Sequence, residues 1–316
     1  MGIAAAVLQA VMLIAFVWPA SNTKARDLPV AVAGAQAAMI ADQLAQRGPG
    51  SFEFITVADA AAARAAIVDL EVYGAIVTEG GSDDVGAQVL ISSAASPAAA
   101  QQMTQIAQQL SGAPAALVED VVASDPDDLG GRGFAAMVLP LVMSSLAAGY
   151  LLALVVASVG ARMAGLAVYS IAAGLLSMTI IQGWLSLIPG SFPVLAGVVG
   201  LISFSVSGAI VALGTVAGRT GLGIGGLTFL LLGNPLSAAA TGPEMLPKPW
   251  GSLGQLLPPG AGASLLRSVA YFGGAGTAGT LTALLVWATT ALALLLASAF
   301  RARQPSADLP PALVSA

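Results

Sequence analysis

From Phe134 to Thr241 the only charged residues are Arg162 and Arg219. That feature constrains the fold more than any other. A stretch so poor in polar side chains suits lipid, where the backbone must satisfy its own hydrogen bonds and only helices or closed barrels qualify. A helix needs about 20 apolar residues to cross the hydrocarbon core, and such runs occur at 134–159, 165–188, 194–217, 222–240 and 277–300. A sixth run, 3–18, is short but adequate. Trp18, Trp184 and Trp250 sit near the ends of these runs, where amphipathic rings favour the headgroup level. Only 9% of the chain is charged and 57% is hydrophobic, against about 25% charged in a typical soluble domain.

The expected fold class is therefore a multi-span α-helical membrane protein with six transmembrane helices and an inserted extracytoplasmic α/β domain. Residues 1–19 would form the first transmembrane helix and 20–132 the α/β domain. Residues 133–300 would form a five-helix membrane domain, and 301–316 a cytoplasmic tail. The opening stretch MGIAAAVLQAVMLIAFVWPASN has a second reading, a cleaved signal peptide. A signal peptide carries a positive n-region, and none stands before Ile3, so the retained span is the favoured reading. The same lack of a basic lead-in leaves open a start upstream of Met1.

Orientation rests on the arginines. With six spans, Arg162, Arg219, Arg301 and Arg303 fall on one side, which the positive-inside rule makes cytoplasmic. Lys24, Arg26, Arg132, Lys248 and Arg267 fall on the other. The first three of these flank a long domain, and long translocated domains largely escape that rule.

Of the 16 acidic residues, 14 lie between Asp27 and Asp128. This region reads as strands alternating with helices. LPVAVAG, FEFITVAD, YGAIVTE, AQVLISS and AALVEDVVA are apolar, β-branched strand candidates. AAMIADQLAQR, AAAARAAIVDL and SPAAAQQMTQIAQQL are helix candidates, the last opening with Ser96 as N-cap and Pro97 at the first helical position. Alternation of this kind predicts an α/β sheet domain. Asp83-Asp84 and Asp125–Asp128 are carboxylate clusters that suit a hard cation, but the EF-hand spacing is absent. A solvated acidic loop is the preferred reading, and no metal site is assigned.

The chain has no histidine and no cysteine, which removes the commonest general base and any disulfide or thiolate site. An enzyme is not expected. The predicted spans hold no Asp, Glu, Lys or Arg in their interiors, which disfavours a proton- or sodium-coupled carrier. Their small polar residues, Ser144, Ser145, Ser177, Thr179, Gln182, Ser203, Ser205 and Ser207, read either as helix-packing positions or as the lining of a path for a lipid-like substrate. GTVAG and GLGIG place Gly214, Gly218, Gly221 and Gly225 at GxxxG spacing, a signal for close helix packing and for a dimer. GRTGLGIGG and GGAGTAGT lack the P-loop lysine, so no nucleotide cofactor is expected on this chain.

Between the last two runs lies GNPLSAAATGPEMLPKPWGSLGQLLPPGAGASLLRSVAYFGGAG. Its prolines forbid one continuous helix. ASLLRSVAYF then sets Leu265, Leu266, Val269 and Phe272 at helical spacing with Arg267 off that face. The expectation is a re-entrant or interfacial element at about 242–274, with Arg267 reaching headgroups or an anionic substrate.

This layout resembles the ABC-2 type permeases, near the phage-infection-protein-like bacterial membrane proteins. The stretches that carry the resemblance are LPVAVAG, ARAAIVDLEVYGAIV, VLISSAASPAAAQQM, EDVVASDPDDLGGRGFAAMVLPLV and the proline-rich segment above. The resemblance implies the permease subunit of an exporter in the cell membrane, a dimer, driven by a separate ABC ATPase and moving a lipid-like or amphipathic substrate. No nucleic acid partner is implied. The alternative is a non-transporting, membrane-anchored surface receptor or assembly protein whose acidic domain binds a partner.

Overall fold

The computed structural model describes residues 2–78, 87–111 and 118–303. Helix α1 (Gly2–Ser21) leads into β1 (Leu28–Gly34), α2 (Ala37–Arg47), β2 (Phe52–Thr56), α3 (Ala60–Val68), β3 (Gly74–Thr78), β4 (Ala87–Ile91), α4 (Pro97–Ser111) and β5 (Val118–Asp120). The strands form one sheet in the order β2-β1-β3-β4-β5. β1 runs parallel to β2 and β3, β3 and β4 are antiparallel, and β4 and β5 are parallel.

Both faces of this sheet are covered, which is why β1 and β3 read as unbroken apolar runs rather than as alternating ones. Leu28, Val30, Val32, Ile76, Val89 and Ile91 face α2 and α4, while Ala31, Ala33, Ala75, Val77 and Leu90 face α3. Helix starts are set by side chains. Asp59 caps α3 by accepting from the N–H of Ala62 at 2.8 Å, and the Ser96 hydroxyl caps α4 by accepting from that of Ala99 at 3.1 Å. Each such cap contributes about 1 kcal/mol.

The rest is helical: α5 (Arg132–Val155), α6 (Val159–Met178, continued by a π turn Thr179–Trp184), α7 (Phe192–Leu227, continued by a π turn Thr228–Gly233), α8 (Trp250–Gly254), α9 (Pro258–Tyr271) and α10 (Thr277–Arg303). Among the described residues, four helices are long and apolar enough to cross a membrane: Arg132–Val155, Val159–Trp184, Phe192–Gly233 and Thr277–Arg301. Their outward faces carry large exposed apolar residues such as Leu139, Met143, Leu154, Ile171, Leu176 and Val286. A surface of that kind is suited to hydrocarbon. Helix α1 is also apolar and exposed along most of its length.

Helix α7 is not straight. Gly218 has φ 58° and ψ −138°, outside the helical region. The chain reverses there, and the two legs lie antiparallel. A Cβ on Gly225 would sit 2.7 Å from Ile210 Cδ1, and one on Gly214 would sit 2.7 Å from Leu222 Cδ2. The turn puts Arg219 at the same end of the bundle as the α5–α6 link and the C-terminal end of α10.

That end is wired by Arg162. Its guanidinium donates to the carbonyls of Val156 (2.8 Å) and Ala153 (3.0 Å) and to Thr215 Oγ1 (2.8 Å). A cation there also complements the negative end of α5. Most of the small polar residues turn inward on their own helices: Ser144 and Ser145 donate to Leu141, Thr179 to Leu175, Ser205 to Leu201 and Ser207 to Ser203. Ser205 also reaches Leu284 on α10 at 3.1 Å.

Candidate functional site at the seam between sheet and helices

The proline-rich segment makes contacts on two sides. It runs between the sheet domain and the helix body and joins them. The N–H of Lys24 donates to Met245 O at 3.0 Å, and that of Arg26 to Glu244 O at 3.1 Å. The Arg26 guanidinium adds bonds to Met245 O (2.9 Å) and Asn22 O (2.8 Å). Met245 is 2% exposed and packs in the sheet core with Leu28, Val30 and Ile76. The Ser96 hydroxyl, already the cap of α4, donates to Thr241 O. Lys248 and Asp27 form an exposed ion pair, which contributes at most about 1 kcal/mol.

Two features of α9 depart from the sequence expectation. The first concerns its start. Pro258 and Pro259 occupy the first turn, where the missing N–H costs nothing, so the prolines begin a helix rather than break one. The second is burial. Residues from Pro258 to Ala263, together with Leu265, Leu266, Arg267, Ser268 and Ala270, are buried. The glycines and alanines let α9 nest among its neighbours; a Cβ on Gly262 would meet Ile202 Cγ1 at 2.7 Å.

Arg267 is held inside the protein rather than extending outward from it. Arg267 is 8% exposed. Its Nη2 donates to Ala239 O, and its guanidinium carbon lies 4.6 Å from the centre of the Phe134 ring. No carboxylate forms a salt bridge with it among the described residues. Burial lowers its pKa from the ordinary arginine value, while nearby Tyr73 and Tyr271 act in the opposite sense. Next to it lies a cavity of about 240 Å³ lined by residues of both halves, including Tyr73, Gln255, Ser264, Ser268 and Thr280.

Tyr73 closes the far wall. Its hydroxyl donates to Glu244 Oε2 at 2.5 Å. Burial, reinforced by the Glu244 carboxylate, raises the Tyr73 pKa well above its ordinary value. Tyr271, donating to Leu187 O at 3.2 Å, is pushed up to about 12, mainly by burial.

The carboxylates at the end of the sheet domain also have a definite place. Asp128 is 2% exposed and accepts from the N–H groups of Gly133 (2.7 Å) and Phe134 (2.8 Å), capping α5. Asp125 Oδ1 accepts from the N–H of Asp127 at 3.0 Å. Asp128 is thus a buried cap, not part of a solvated loop. Asp83 and Asp84 lie outside the described residues. No group of three or more acidic side chains that could hold a metal comes together among the described residues.

The glycines at GxxxG spacing are placed within the chain. Gly214, Gly221 and Gly225 lie between the two legs of α7, against Leu222, Leu213 and Ile210, and Gly218 forms the exposed turn. The close helix contact they make is intramolecular.

Sequence reasoning had singled out Arg267 but not Tyr73, Phe134, Gln255 or Glu244. Glu244 did leave a signal: it is the one acidic residue between Asp128 and Asp308. Phe134 lies in an apolar run like many others, and nothing local marks Tyr73 or Gln255. Comparison with protein-family models, with curated proteins and with solved structures finds no match for this chain.

Proposed function

We propose that this chain is the membrane subunit of an exporter of the ABC-2 permease kind. It works as a dimer, its energy comes from a separate ATPase, and its substrate is amphipathic or lipid-like. In this reading each leg of α7 crosses the bilayer once and α1 crosses it once, which makes six spans. The sheet domain is extracytoplasmic and both termini are cytoplasmic.

The observation that carries the reading is the asymmetry of the two ends of the helix body. One end holds Arg162, Arg219 and Arg301 and, among the described residues, no acidic group. The other carries the sheet domain and nearly all the acidic residues. Positive charge on short links favours the cytoplasmic side, so the bare basic end is the face left for an ATPase. The anchor reading is disfavoured because the domain does not hang on a free linker. Residues 241–248 hold it against the helices through hydrogen bonds and a shared core.

Two experiments test this. Because the chain has no cysteine, single cysteines at exposed Gln43 and Thr220 report sidedness directly. An impermeant maleimide should label Gln43→Cys in intact cells and Thr220→Cys only after permeabilisation; the reverse pattern overturns the orientation. The chain isolated from its native membrane should carry a P-loop ATPase in near-equal amount. Isolation of the intact, cross-linked assembly without any ATPase would remove the exporter reading.

A further inference from the structure

Two arginines in the helix body invite comparison. Arg162 is partly buried and uses three hydrogen bonds to pin the α5–α6 link and Thr215. That is a guanidinium spent on structure. Arg267 is the more deeply buried, yet it makes one hydrogen bond, to Ala239 O, and has no carboxylate partner among the described residues. Removing a cation from water is costly unless something compensates it. One carbonyl and the Phe134 face compensate only part. The arginine side chain presents five N–H donors in a fixed fork that matches phosphate and carboxylate oxygens. Glu244, next to the cavity-lining Pro243, is engaged by the Tyr73 hydroxyl.

We propose that Arg267 and the cavity beside it bind a phosphate-class oxyanion, either as a free ion or as the headgroup of a lipid. The anion sits in the cavity between Tyr73 and Thr280, bonds to the free edge of the Arg267 fork, and supplies the missing countercharge. The cavity, about 240 Å³, exceeds the roughly 30 Å³ that one water occupies in the liquid. Its walls come from both halves of the molecule: Leu70, Val72 and Tyr73 from the sheet domain, and Ser264, Arg267 and Thr280 from the helices. Anion binding would therefore tighten the seam. The inference deepens the permease reading by assigning the charged end of the substrate, but it requires no ATPase. Absence of an ATPase partner would leave it standing, and failure to bind would leave the permease reading standing.

The test uses the purified full chain in a neutral detergent. Thermal unfolding is followed by tryptophan fluorescence while inorganic phosphate or dihexanoyl phosphatidic acid is added against chloride at matched ionic strength. Dihexanoyl phosphatidylcholine controls for the acyl chains. The expected result is a saturable rise in the midpoint with one or both anions, none with the neutral control, and none in Arg267→Gln. A rise with phosphatidic acid alone identifies a lipid headgroup site, and a rise with both at similar concentrations a free-ion site. No saturable rise, or an equal rise in Arg267→Gln, overturns the proposal. Should Arg267→Gln fail to fold, Ala275→Leu fills the cavity and leaves the arginine in place. It should abolish the shift, and an unchanged shift there overturns the location.

Discussion

Gly218 offers a test in which the sign of the effect decides. Its φ of 58° and ψ of −138° lie where side-chain-bearing residues are rarely found. Holding such a residue there costs about 1–3 kcal/mol. No heavy atom lies within 4 Å of the position its Cβ would take, so collision adds nothing and Gly218→Ala isolates the backbone cost. Were 192–227 one straight helix, the same substitution would stabilise by about 0.5–1 kcal/mol. The two architectures therefore differ by roughly 1.5–4 kcal/mol, with opposite sign. Gly160→Ala in the first turn of α6 is the control, since no atom lies within 4 Å there either and its φ is not positive. It should stabilise by about 0.4–1 kcal/mol. The assay is the unfolding midpoint of the three proteins in one detergent. A Gly218→Ala midpoint equal to or above wild type would refute the reversal and the antiparallel packing of the two legs.

Leu266 is 1% exposed inside α9; Leu266→Asp should cost several kcal/mol, because it buries a carboxylate without a partner, and protease resistance equal to wild type would contradict the burial of this helix. Tyr73→Phe leaves Glu244 without its hydroxyl partner and should destabilise by about 1–3 kcal/mol; chemical denaturation curves superimposable on wild type would argue against the bond. Asp128→Ala removes the acceptor for two N–H groups at the start of α5 and should cost about 0.5–2 kcal/mol, visible as a lowered midpoint. Tyr271 titrates near 12 when folded and about 10 when unfolded. Its folded pKa is the higher one, so its contribution is complete below pH 10 and is lost as pH rises through 12. Ultraviolet titration should find this tyrosine neutral at pH 10.5, and ionisation of all four tyrosines together near pH 10 would contradict it.

How much of this was legible in the sequence follows from what each residue type can report. The run LPVAVAG lies on β1, and SPAAAQQMTQIAQQL on α4 with Ser96 at its cap, because β-branched runs and capping side chains carry local information. The links at Arg162 and Arg219 were visible as charge interrupting apolar runs. Burial of α9 was not. Its prolines read as interruptions of a helix, whereas in the structure they open one, and its glycines permit close approach to Ile202 and to the α8 backbone at Gly254. The sequence places Arg267 at headgroups or an anionic substrate, because a charge on an amphipathic segment usually snorkels. Its partners, Phe134 and Ala239, lie far away along the chain, and no periodicity reports them. Gly214 and Gly225 were read as a possible dimer contact because GxxxG spacing does not say which helix is approached.

Met245 belongs to the hydrophobic core of a sheet whose first strand begins at Leu28, and the Arg26–Met245 hydrogen bond spans 219 positions. A ribosome completes every strand of that sheet long before it reaches residue 245. Until then the edge formed by Ala25, Leu28 and their neighbours lacks one of its covering side chains. The domain and the helix body therefore mature as one unit, late, when the chain between the α7 legs and α9 arrives. Non-local closure of this length slows folding. A domain excised at residue 132 would be missing a piece of its own interior, so the seam is a requirement of biogenesis as well as a joint.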